Sequence, residues 1–320
     1  MADLDGVVYK GAEAIDYAVD SINAASERMR CGYITNNASR TATSVAEHLS
    51  GLGLSVTADD VVTSPQAAVR LLANLVPAGS TVLVVGGDGL TTEVVRAGFT
   101  VTDSAENAPA AVIQGFHPTV GWEQLAEATF ALHTGIPWVA TNTDWTIPVA
   151  RGIAPGNGTL VSAVHTAVGR LPVVAGKPEV AIFTEAQLRF GGAKALFLGD
   201  RLDTDILGAN RAGIDSALVL TGIDGPKQVL AADSSSRPRY ILSDLRQLFE
   251  LYPETVATRD AATGDHLVAV GSAIVRLSGS VITIDRIGDR PIDLLRAGAA
   301  LIWTSGLAIY GLDVPVSLYA

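Results

Sequence analysis

The sequence predicts an α/β protein with a doubly wound, Rossmann-like parallel sheet, an inserted α/β domain and a small α+β module at the C-terminal end. Three observations lead to this prediction. Short apolar runs alternate with segments of helical periodicity through most of the chain, which is typical of a parallel sheet covered by helices. The length of 320 residues exceeds that of one ordinary domain. Towards the C-terminal end, the pattern changes to strand-like alternation followed by one long apolar segment.

The first part of the predicted core contains two strand and helix units. Apolar residues at helical spacing predict a helix within Gly11–Arg30, and Cys31–Ile34 is a short apolar strand. A second helix is predicted over Ser44–Leu52. A third is expected from Ser64, which precedes Pro65 and therefore has the position of an N-cap residue followed by proline at the first helical position.

An inserted α/β domain, or cap, is predicted over residues 79–171. Its predicted strands are Val82–Gly87, Ala110–Gly115 and Trp138–Asn142, and its predicted helices are Trp122–Leu132 and one that holds Leu160, Val161 and Val164. The segment Gly86–Gly89 lacks both the Gly-x-Gly-x-x-Gly spacing and a Walker lysine. A plain strand-to-helix turn is therefore favoured there over a loop that cradles phosphate.

After the insert the chain returns to the core, which we assign to residues 1–78 and 172–250. The predicted elements of this second part are a strand within Val173–Pro178, a helix over Glu179–Phe190, a strand over Ala195–Asp200, a helix over Ile206–Ala212 and a strand over Ser216–Leu220. The strand before Asp200 is fully apolar, which is typical of a strand that is buried on both faces.

A separate C-terminal module is predicted over residues 257–320. Val256–Gly264 is interpreted as a polar linker, followed by two strands, His266–Leu277 and Ser280–Ile284, and by an apolar helix over Pro291–Tyr310. This helix is too apolar for a lone surface helix, so we expect it to pack on its own strands or on a partner subunit.

Composition excludes several classes of partner. The net charge of −11 and the pI near 4.8 argue against a surface for nucleic acid or anionic membranes, because both need a basic patch. Cys31 is the only cysteine, so an internal disulfide is not possible. Neither a signal peptide nor an apolar run of about 18 residues is present. We expect a cytoplasmic protein, and a homodimer is left open.

Polar side chains follow four of the apolar runs. Asp3 and Asp5 are separated by one apolar residue and would share one face of an extended segment, although a solvated turn is the alternative. Three later stretches supply a hydroxyl, a lysine and a second acidic cluster, and these are Tyr33–Arg40, Gly176–Pro178 and Leu198–Asp205. The carboxyl ends of parallel strands are where open α/β sheets bind ligands.

These four motifs, in this order, resemble those of the haloacid dehalogenase superfamily of phosphohydrolases. The resemblance covers roughly residues 1–245 and is closest to the NagD-type subgroup, which includes 4-nitrophenylphosphatases, nucleotidases and glycerol-phosphate phosphatases. Some bacterial glycerol-3-phosphate phosphatases of the subgroup carry a C-terminal region similar to part of an acetyltransferase fold. The module of residues 257–320 looks similar in size and order, but it shows no glycine loop for a pyrophosphate, so acetyl transfer is disfavoured.

The resemblance implies a role for each motif residue. Asp3 would be the nucleophile and Asp5 the general acid and base, while Lys177, Thr35, Asn36 and Asn37 would bind the phosphoryl oxygens. It also implies a Mg²⁺ ion held by the Asp3 side chain, the Asp5 carbonyl and the Asp200 side chain, with Asp205 orienting Lys177 or the metal waters. The expected activity is that of a Mg²⁺-dependent phosphomonoester hydrolase.

The long polar stretch from residue 141 to 158 is expected to select the leaving group. Its candidate side chains are Asn142, Asp144, Arg151 and Asn157, although ordinary turn roles for Asn142 and Asp144 are the alternative. The expected substrate is a small metabolite phosphate, with glycerol 3-phosphate favoured. Nucleotides, a sugar phosphate, 4-nitrophenyl phosphate or a non-catalytic regulatory role are the alternatives.

The N-terminal end is short for the strand that should carry the nucleophile. Only Met1 and Ala2 precede Asp3, whereas a core strand has about five residues. We therefore expect either a natural start upstream or a truncated chain.

Overall fold

The computed structural model describes residues 1–149, 151–191 and 194–319. In chain order its strands are β1 (Tyr9–Lys10), β2 (Glu13–Ala14), β3 (Tyr33–Thr35), β4 (Val61–Thr63), β5 (Thr81–Val85), β6 (Thr100–Thr102), β7 (Ala111–Gln114), β8 (Trp138–Ala140), β9 (Thr146–Val149), β10 (Gly152–Pro155), β11 (Val173–Val174), β12 (Leu196–Gly199), β13 (Asp215–Val219), β14 (Tyr240–Leu242), β15 (Thr255–Arg259), β16 (His266–Val270), β17 (Ala273–Ser278) and β18 (Val281–Arg286). Its helices are α1 (Ala18–Ser26), α2 (Ala42–Gly51), α3 (Ser64–Ala73), α4 (Asp88–Arg96), α5 (Trp122–Leu132), α6 (Asn157–Val168), α7 (Val180–Phe190), α8 (Leu207–Arg211), α9 (Pro226–Leu230) and α10 (Pro291–Thr304).

The chain divides into two compact units. The first comprises Met1–Leu4, Gly11–Ala14 and Ile22–Ala195, and the second comprises Asp5–Lys10, Ile15–Ser21 and Leu196–Ala320. The domain boundaries derived from the sequence stay a prediction.

The first unit contains two parallel sheets. β3 pairs with β4, and Ala2 extends this pair because its N–H donates to Gly32 O and its carbonyl accepts from Ile34 N–H, both at 2.9 Å. The larger sheet has the order β11-β8-β7-β5-β6, and all its strands are parallel. Apolar side chains of β5, β7 and β8 pack with those of α5 and α6 to form its core. The predicted α/β class with a parallel sheet is thereby confirmed.

Two local predictions for this unit were wrong. The N-cap of α3 is Thr63, the last residue of β4, and not Ser64. The Ser64 hydroxyl instead donates to Asn36 O at 2.7 Å, while the Thr63 N–H is satisfied by Gln66 Oε1. The stretch expected to be one long loop contains the antiparallel pair β9 and β10. Because these strands are short and mostly exposed, they lack the alternation that signals a strand in sequence.

The second unit also contains two sheets. β12, β13 and β14 are parallel in that order, and β15 to β18 form an antiparallel meander. The predicted linker contains all but the first residue of β15, whose side chains are all exposed and whose backbone pairs with β16. The predicted strand over residues 266–277 is two strands, because Gly271, with φ of 55°, forms a tight turn between Val270 and Ala273.

One apolar core joins the two sheets of the second unit. α10 ends at Thr304, earlier than predicted, and packs against β16 and β17. Its buried residues lie in the same cluster as Leu218 of β13 and Val229 of α9. The C-terminal strands and helix therefore share a core with the parallel strands that precede them. None of the helices in the described part of the chain is long and apolar enough to cross a membrane.

Candidate active site

A buried ion pair links the first and third sequence motifs. Lys177 Nζ lies 2.5 Å from Asp3 Oδ1, and the two residues are only 4% and 9% exposed. Asp3 directly follows Ala2, which is paired with β3, and Lys177 follows β11. The predicted nucleophile and the predicted phosphate-binding lysine are therefore in direct contact.

The hydroxyl of Thr35 lies at the carboxyl end of β3, where the sequence placed it. Thr35 is buried, and its Oγ1 accepts a hydrogen bond from the Asn37 N–H at 3.1 Å. A hydroxyl that accepts can also donate, so the Thr35 hydroxyl can donate its proton to a phosphoryl oxygen. Asn37 itself is exposed, and its Oδ1 accepts from the Ser39 N–H at 2.9 Å, which closes a local turn.

Asn36 is the centre of a hydrogen-bond network. Its Oδ1 accepts from the Lys177 N–H at 2.8 Å, and its Nδ2 donates to Lys177 O at 3.1 Å and to both carboxylate oxygens of Asp144 at 3.1 and 3.2 Å. Its carbonyl accepts from Asn142 Nδ2 at 2.8 Å. The side-chain amide of Asn36 thus serves the backbone around the lysine.

Asn142 and Asp144 belong to the same network. Asn142 is buried, and its Oδ1 accepts from the Asp144 N–H at 3.2 Å. Its carbonyl accepts from Nδ2 of the buried Asn157, the first residue of α6, at 2.7 Å. These contacts hold the segment after β8 against Asn36.

Arg151 lies apart from that network. It is exposed and sits at the turn between β9 and β10, next to residue 150, which is outside the described residues. The base of this hairpin is the Thr146 and Pro155 pair, so Arg151 is about 10 Å along the strands from the segment of Asp144. The structure brings Asn142 and Asp144 together with Asn36, but not Arg151.

The second unit carries the acidic segment that follows β12. Asp200 is 1% exposed and Asp205 is fully buried, and a carboxylate oxygen of one lies within 4.8 Å of one of the other. Asp205 Oδ2 accepts from the N–H groups of Asp200 and Arg201 at 3.1 and 3.2 Å. Asp205 therefore fixes the backbone at Asp200.

Two residues that the sequence analysis missed, Gly222 and Ile223, lie against Asp200. An ideal Cβ at Gly222 would lie 1.9 Å from Asp200 Oδ2, so only glycine fits there. The Thr221 hydroxyl donates to Gly6 O at 2.7 Å, and the Ile223 N–H donates to Asp200 Oδ2 at 2.8 Å. The sequence contained a signal for them, because Gly222 and Ile223 come soon after β13, the strand paired with β12.

Asp5 lies in the second unit and has an exposed side chain. The Tyr9 hydroxyl lies 3.5 Å from Asp5 Oδ2, and the Gly6 N–H donates to Tyr9 O at 2.9 Å. An exposed carboxyl at a turn can exchange protons with solvent or substrate. Tyr9, a neighbour of this carboxyl, was also missed in the sequence analysis.

Asp224 is a third acidic residue near the Asp200 segment. Its N–H donates to Asp200 O at 3.1 Å, and its Oδ2 accepts from the Leu202 N–H at 2.6 Å. Burial raises the pKa of the Asp224 carboxyl above its usual range, while the bond from Leu202 opposes that rise.

The carboxylate oxygens of the Asp200 segment are the kind of ligand that Mg²⁺ prefers. Asp200 and Asp205 bring two buried carboxylates within a few ångströms of each other, and such like charges repel unless a cation neutralises them. Hard divalent cations bind carboxylate oxygens in this way. The acidic segment therefore fits a magnesium ligand set.

Two family models match the chain. Residues 1–100 match the model described as haloacid dehalogenase-like hydrolase, and residues 174–248 match a second hydrolase model of the same type. Together they contain Asp3, Asp5, Thr35, Lys177 and Asp200.

Relatives match over most of the chain. D-glycerol 3-phosphate phosphatase from Mycobacterium tuberculosis is 42% identical over 96% of this chain and 86% of its own length. An acid sugar phosphatase from Staphylococcus saprophyticus is 34% identical over 78% of this chain and 96% of its own length.

Solved structures give the same result. A glycerol phosphate phosphatase from M. tuberculosis in complex with magnesium has a TM-score of 0.84 and 41% identity, over 95% of this chain and 89% of that one. A p-nitrophenyl phosphatase from Archaeoglobus fulgidus has a TM-score of 0.71 and 28% identity, over 78% of this chain and 96% of that one. The resemblance inferred from the four motifs is confirmed: the chain belongs to the haloacid dehalogenase-like hydrolase family.

Proposed function

We propose that the chain is a Mg²⁺-dependent phosphomonoester hydrolase that acts on glycerol 3-phosphate through an aspartyl-phosphate intermediate. The observation that carries the proposal is the buried contact between Lys177 Nζ and Asp3 Oδ1 at 2.5 Å. A neighbouring ammonium group favours the charged form of a carboxylate, which is the form that attacks phosphorus. The same ammonium group can neutralise charge on an incoming phosphoryl group.

The reaction has two steps. In the first, an oxygen of Asp3 bonds to phosphorus while the bond from phosphorus to the leaving oxygen breaks, and Asp5 gives its proton to that oxygen. In the second, Asp5 takes a proton from water, whose oxygen bonds to phosphorus while the bond to Asp3 breaks. The products are the alcohol and inorganic phosphate, and both carboxyl groups return to their starting forms.

The remaining site residues would bind the substrate and the metal ion. Lys177, Thr35, Asn36 and Asn37 would hold the phosphoryl oxygens, and Asn142 and Asp144 would contribute to leaving-group selection. Mg²⁺ would be held by Asp3, Asp5 and Asp200 with help from Asp205, and when bound it supplies positive charge to the phosphoryl oxygens.

Glycerol 3-phosphate is favoured as the substrate by the extent of the matches. The relative named for D-glycerol 3-phosphate matches 96% of this chain, which includes the C-terminal strands and helix. The acid sugar phosphatase matches only 78%. A sugar phosphate is therefore the second candidate, followed by nucleotides and 4-nitrophenyl phosphate.

The test is a phosphate-release assay of the purified full-length chain. Its substrates are D-glycerol 3-phosphate, a hexose phosphate, a nucleoside monophosphate and 4-nitrophenyl phosphate, each with Mg²⁺ and with EDTA. We expect the highest kcat/KM for D-glycerol 3-phosphate and loss of turnover in EDTA. Preference for the hexose phosphate would transfer the proposal to sugar phosphates, and no turnover of any substrate would favour a non-catalytic regulatory relative.

We also infer a cytoplasmic enzyme whose partner is the small metabolite, without nucleic acid or membrane contacts. The net charge of −11 supports the exclusion of nucleic acid and anionic membranes, because both carry many phosphate groups and would be repelled. A homodimer is the alternative to a monomer, and light scattering of the purified chain distinguishes the two.

A further inference from the structure

The five-stranded parallel sheet has a topological switch point between β5 and β7. β6 follows β5 in the chain and lies on one side of it, whereas β7, β8 and β11 lie on the other side. In open α/β sheets the crevice beyond the carboxyl ends of two such strands is the usual position of a ligand. In this protein the crevice is bordered by the segments that follow Val85 and Gln114.

The chain's own segment 38–40 fills this crevice. An ideal Cβ at Gly89 would lie 2.7 Å from Ala38 O and 2.8 Å from Arg40 O. An ideal Cβ at Gly115 would lie 3.1 Å from the Cβ of Ala38. Because the atoms facing Gly89 are backbone atoms, a side chain at that position would displace the whole segment.

One polar contact closes the same crevice. The Ser39 hydroxyl donates to Phe116 O at 3.0 Å, and Phe116 is the second residue after the end of β7. Ala38 is buried, and the same loop begins with Thr35 and Asn36, of which Asn36 accepts a hydrogen bond from the Lys177 N–H. Any shift of segment 38–40 is therefore transmitted over two peptide bonds to Asn36.

We propose that the switch-point crevice of this sheet is a clamp for segment 35–40, and that Gly89 and Gly115 are positioning residues for the phosphate-binding groups of Thr35 and Asn36. The crevice thus holds part of the catalytic loop where other open α/β sheets hold a small molecule. The activity readout of this inference rests on the proposed function, whereas its structural readout does not.

The test compares Gly89→Ala with Gly51→Ala in the full-length protein. Both glycines are helical, but a Cβ at Gly51 meets nothing within 4 Å, and alanine raises the helix propensity at both positions. Hydrogen exchange of peptides that cover residues 33–42 reports on the segment itself. The Ki of inorganic phosphate and the KM and kcat for D-glycerol 3-phosphate report on phosphate binding.

For Gly89→Ala we expect faster exchange of residues 37–40 and a kcat/KM lower by about 10- to 100-fold, because a displacement near 1 Å has effects of that size. The Ki of phosphate should rise in parallel, while Gly51→Ala should match the wild type in every readout. Equal exchange and equal Ki in the two variants would overturn the clamp. An inactive wild type would defeat the proposed function alone, because the exchange comparison would still decide about the clamp.

Ser39→Ala is the alternative test of the clamp if Gly89→Ala does not fold. It removes the bond to Phe116 O without adding an atom, so exchange at residues 38–40 should be about threefold to tenfold faster, as expected for one lost hydrogen bond. Exchange identical to that of the wild type would again overturn the clamp.

Discussion

The side-chain amide of Asn36 forms hydrogen bonds with both the N–H and the carbonyl of Lys177, which lies 141 positions later in the sequence. Asn36 Oδ1 accepts from the Lys177 N–H at 2.8 Å, and Asn36 Nδ2 donates to the Lys177 carbonyl at 3.1 Å. The place of the ammonium group beside Asp3 therefore depends on an amide in the second motif as well as on the strand that precedes the lysine.

We predict that Asn36→Ala lowers kcat/KM by about 10- to 100-fold. The substitution removes both hydrogen bonds to the Lys177 backbone, together with the contacts to the Asp144 carboxylate, and leaves part-buried backbone groups of Lys177 unsatisfied, at a cost of about 1 to 3 kcal/mol. Steady-state kinetics with D-glycerol 3-phosphate measure the effect. Asn23→Ala, which removes the side-chain hydrogen bonds to Gly53 O and from the Ser55 N–H, outside these motifs, should leave the kinetics unchanged.

Asp3→Asn should abolish turnover, because an amide is a poor nucleophile. The expected loss exceeds about a thousandfold, as for other essential nucleophiles. Asp5→Asn should lower the rate by impairing proton transfer, with phosphoenzyme either accumulating or failing to form. Rapid-quench trapping with labelled substrate separates these cases, and Asp59→Asn, at an exposed carboxylate, is the control. Residual turnover of Asp3→Asn above a thousandth of the wild-type rate would falsify covalent catalysis at Asp3.

Gly222→Ala should weaken the response to Mg²⁺. The new methyl group would lie 1.9 Å from Asp200 Oδ2 in the present arrangement, so the carboxylate must move. We expect the Mg²⁺ concentration for half-maximal activity to rise by about tenfold or more, the usual effect of disturbing groups around a metal ligand. Gly225→Ala is the matched control, since its nearest neighbour would be Gln228 Oε1 at 3.7 Å. An unchanged Mg²⁺ dependence would remove Asp200 from the proposed ligand set.

Most of the candidate site could be predicted because its residues follow apolar strands directly. Thr35 is the last residue of β3, and Asp200 directly follows β12. Both strands are short apolar runs, which can be recognised in the sequence. The helix over Trp122–Leu132 was also predicted with its observed bounds.

The missed features depend on contacts that no local pattern encodes. β15 is exposed on both faces, so its strand conformation comes from pairing with β16 and not from alternation. The need for glycine at position 222 arises from Asp200, which lies 22 positions earlier. Arg151 looked equivalent to Asp144 in sequence, but the β9 and β10 hairpin carries it away.

Asp293→Ala should destabilise the second unit by about 3 kcal/mol. Arg296 is only 5% exposed, and its Nη1 donates to Asp293 Oδ1 at 2.8 Å, so the change leaves a buried guanidinium without its counter-charge. Urea unfolding measures the loss, and Glu254→Ala, at an exposed side chain, should change little. The double variant Asp293→Leu with Arg296→Met should recover part of the stability, and failure to do so would mean that the guanidinium bonds to Ile241 O dominate.

The acid stability of the C-terminal sheet should depend on Asp260. The Arg276 guanidinium, which bonds to Asp260 Oδ2, holds the pKa of that carboxyl at about 2, and the N–H groups of Ala262 and Thr263 add to the effect. Because the folded pKa lies below the unfolded value of about 3.9, this carboxylate stabilises the fold fully above pH 4 and loses its effect as the pH falls towards 2. The difference in Tm between the wild type and Asp260→Asn should therefore be constant from pH 7 to pH 5 and shrink towards pH 3. A constant difference down to pH 3 would contradict the proposed linkage.

The shared apolar core of the second unit has a consequence for biosynthesis. Leu218 of β13 and Val229 of α9, which follow the acidic segment in the chain, lie in the same buried cluster as Ala297 and Leu301 of α10. Chains emerge from the ribosome N-terminal end first, so the acidic segment is synthesised well before the helix that buries its supporting strands. The Asp200 segment therefore gains its final support only after α10 has emerged from the ribosome, and nascent chains that stall before Pro291 should be substrates for chaperones.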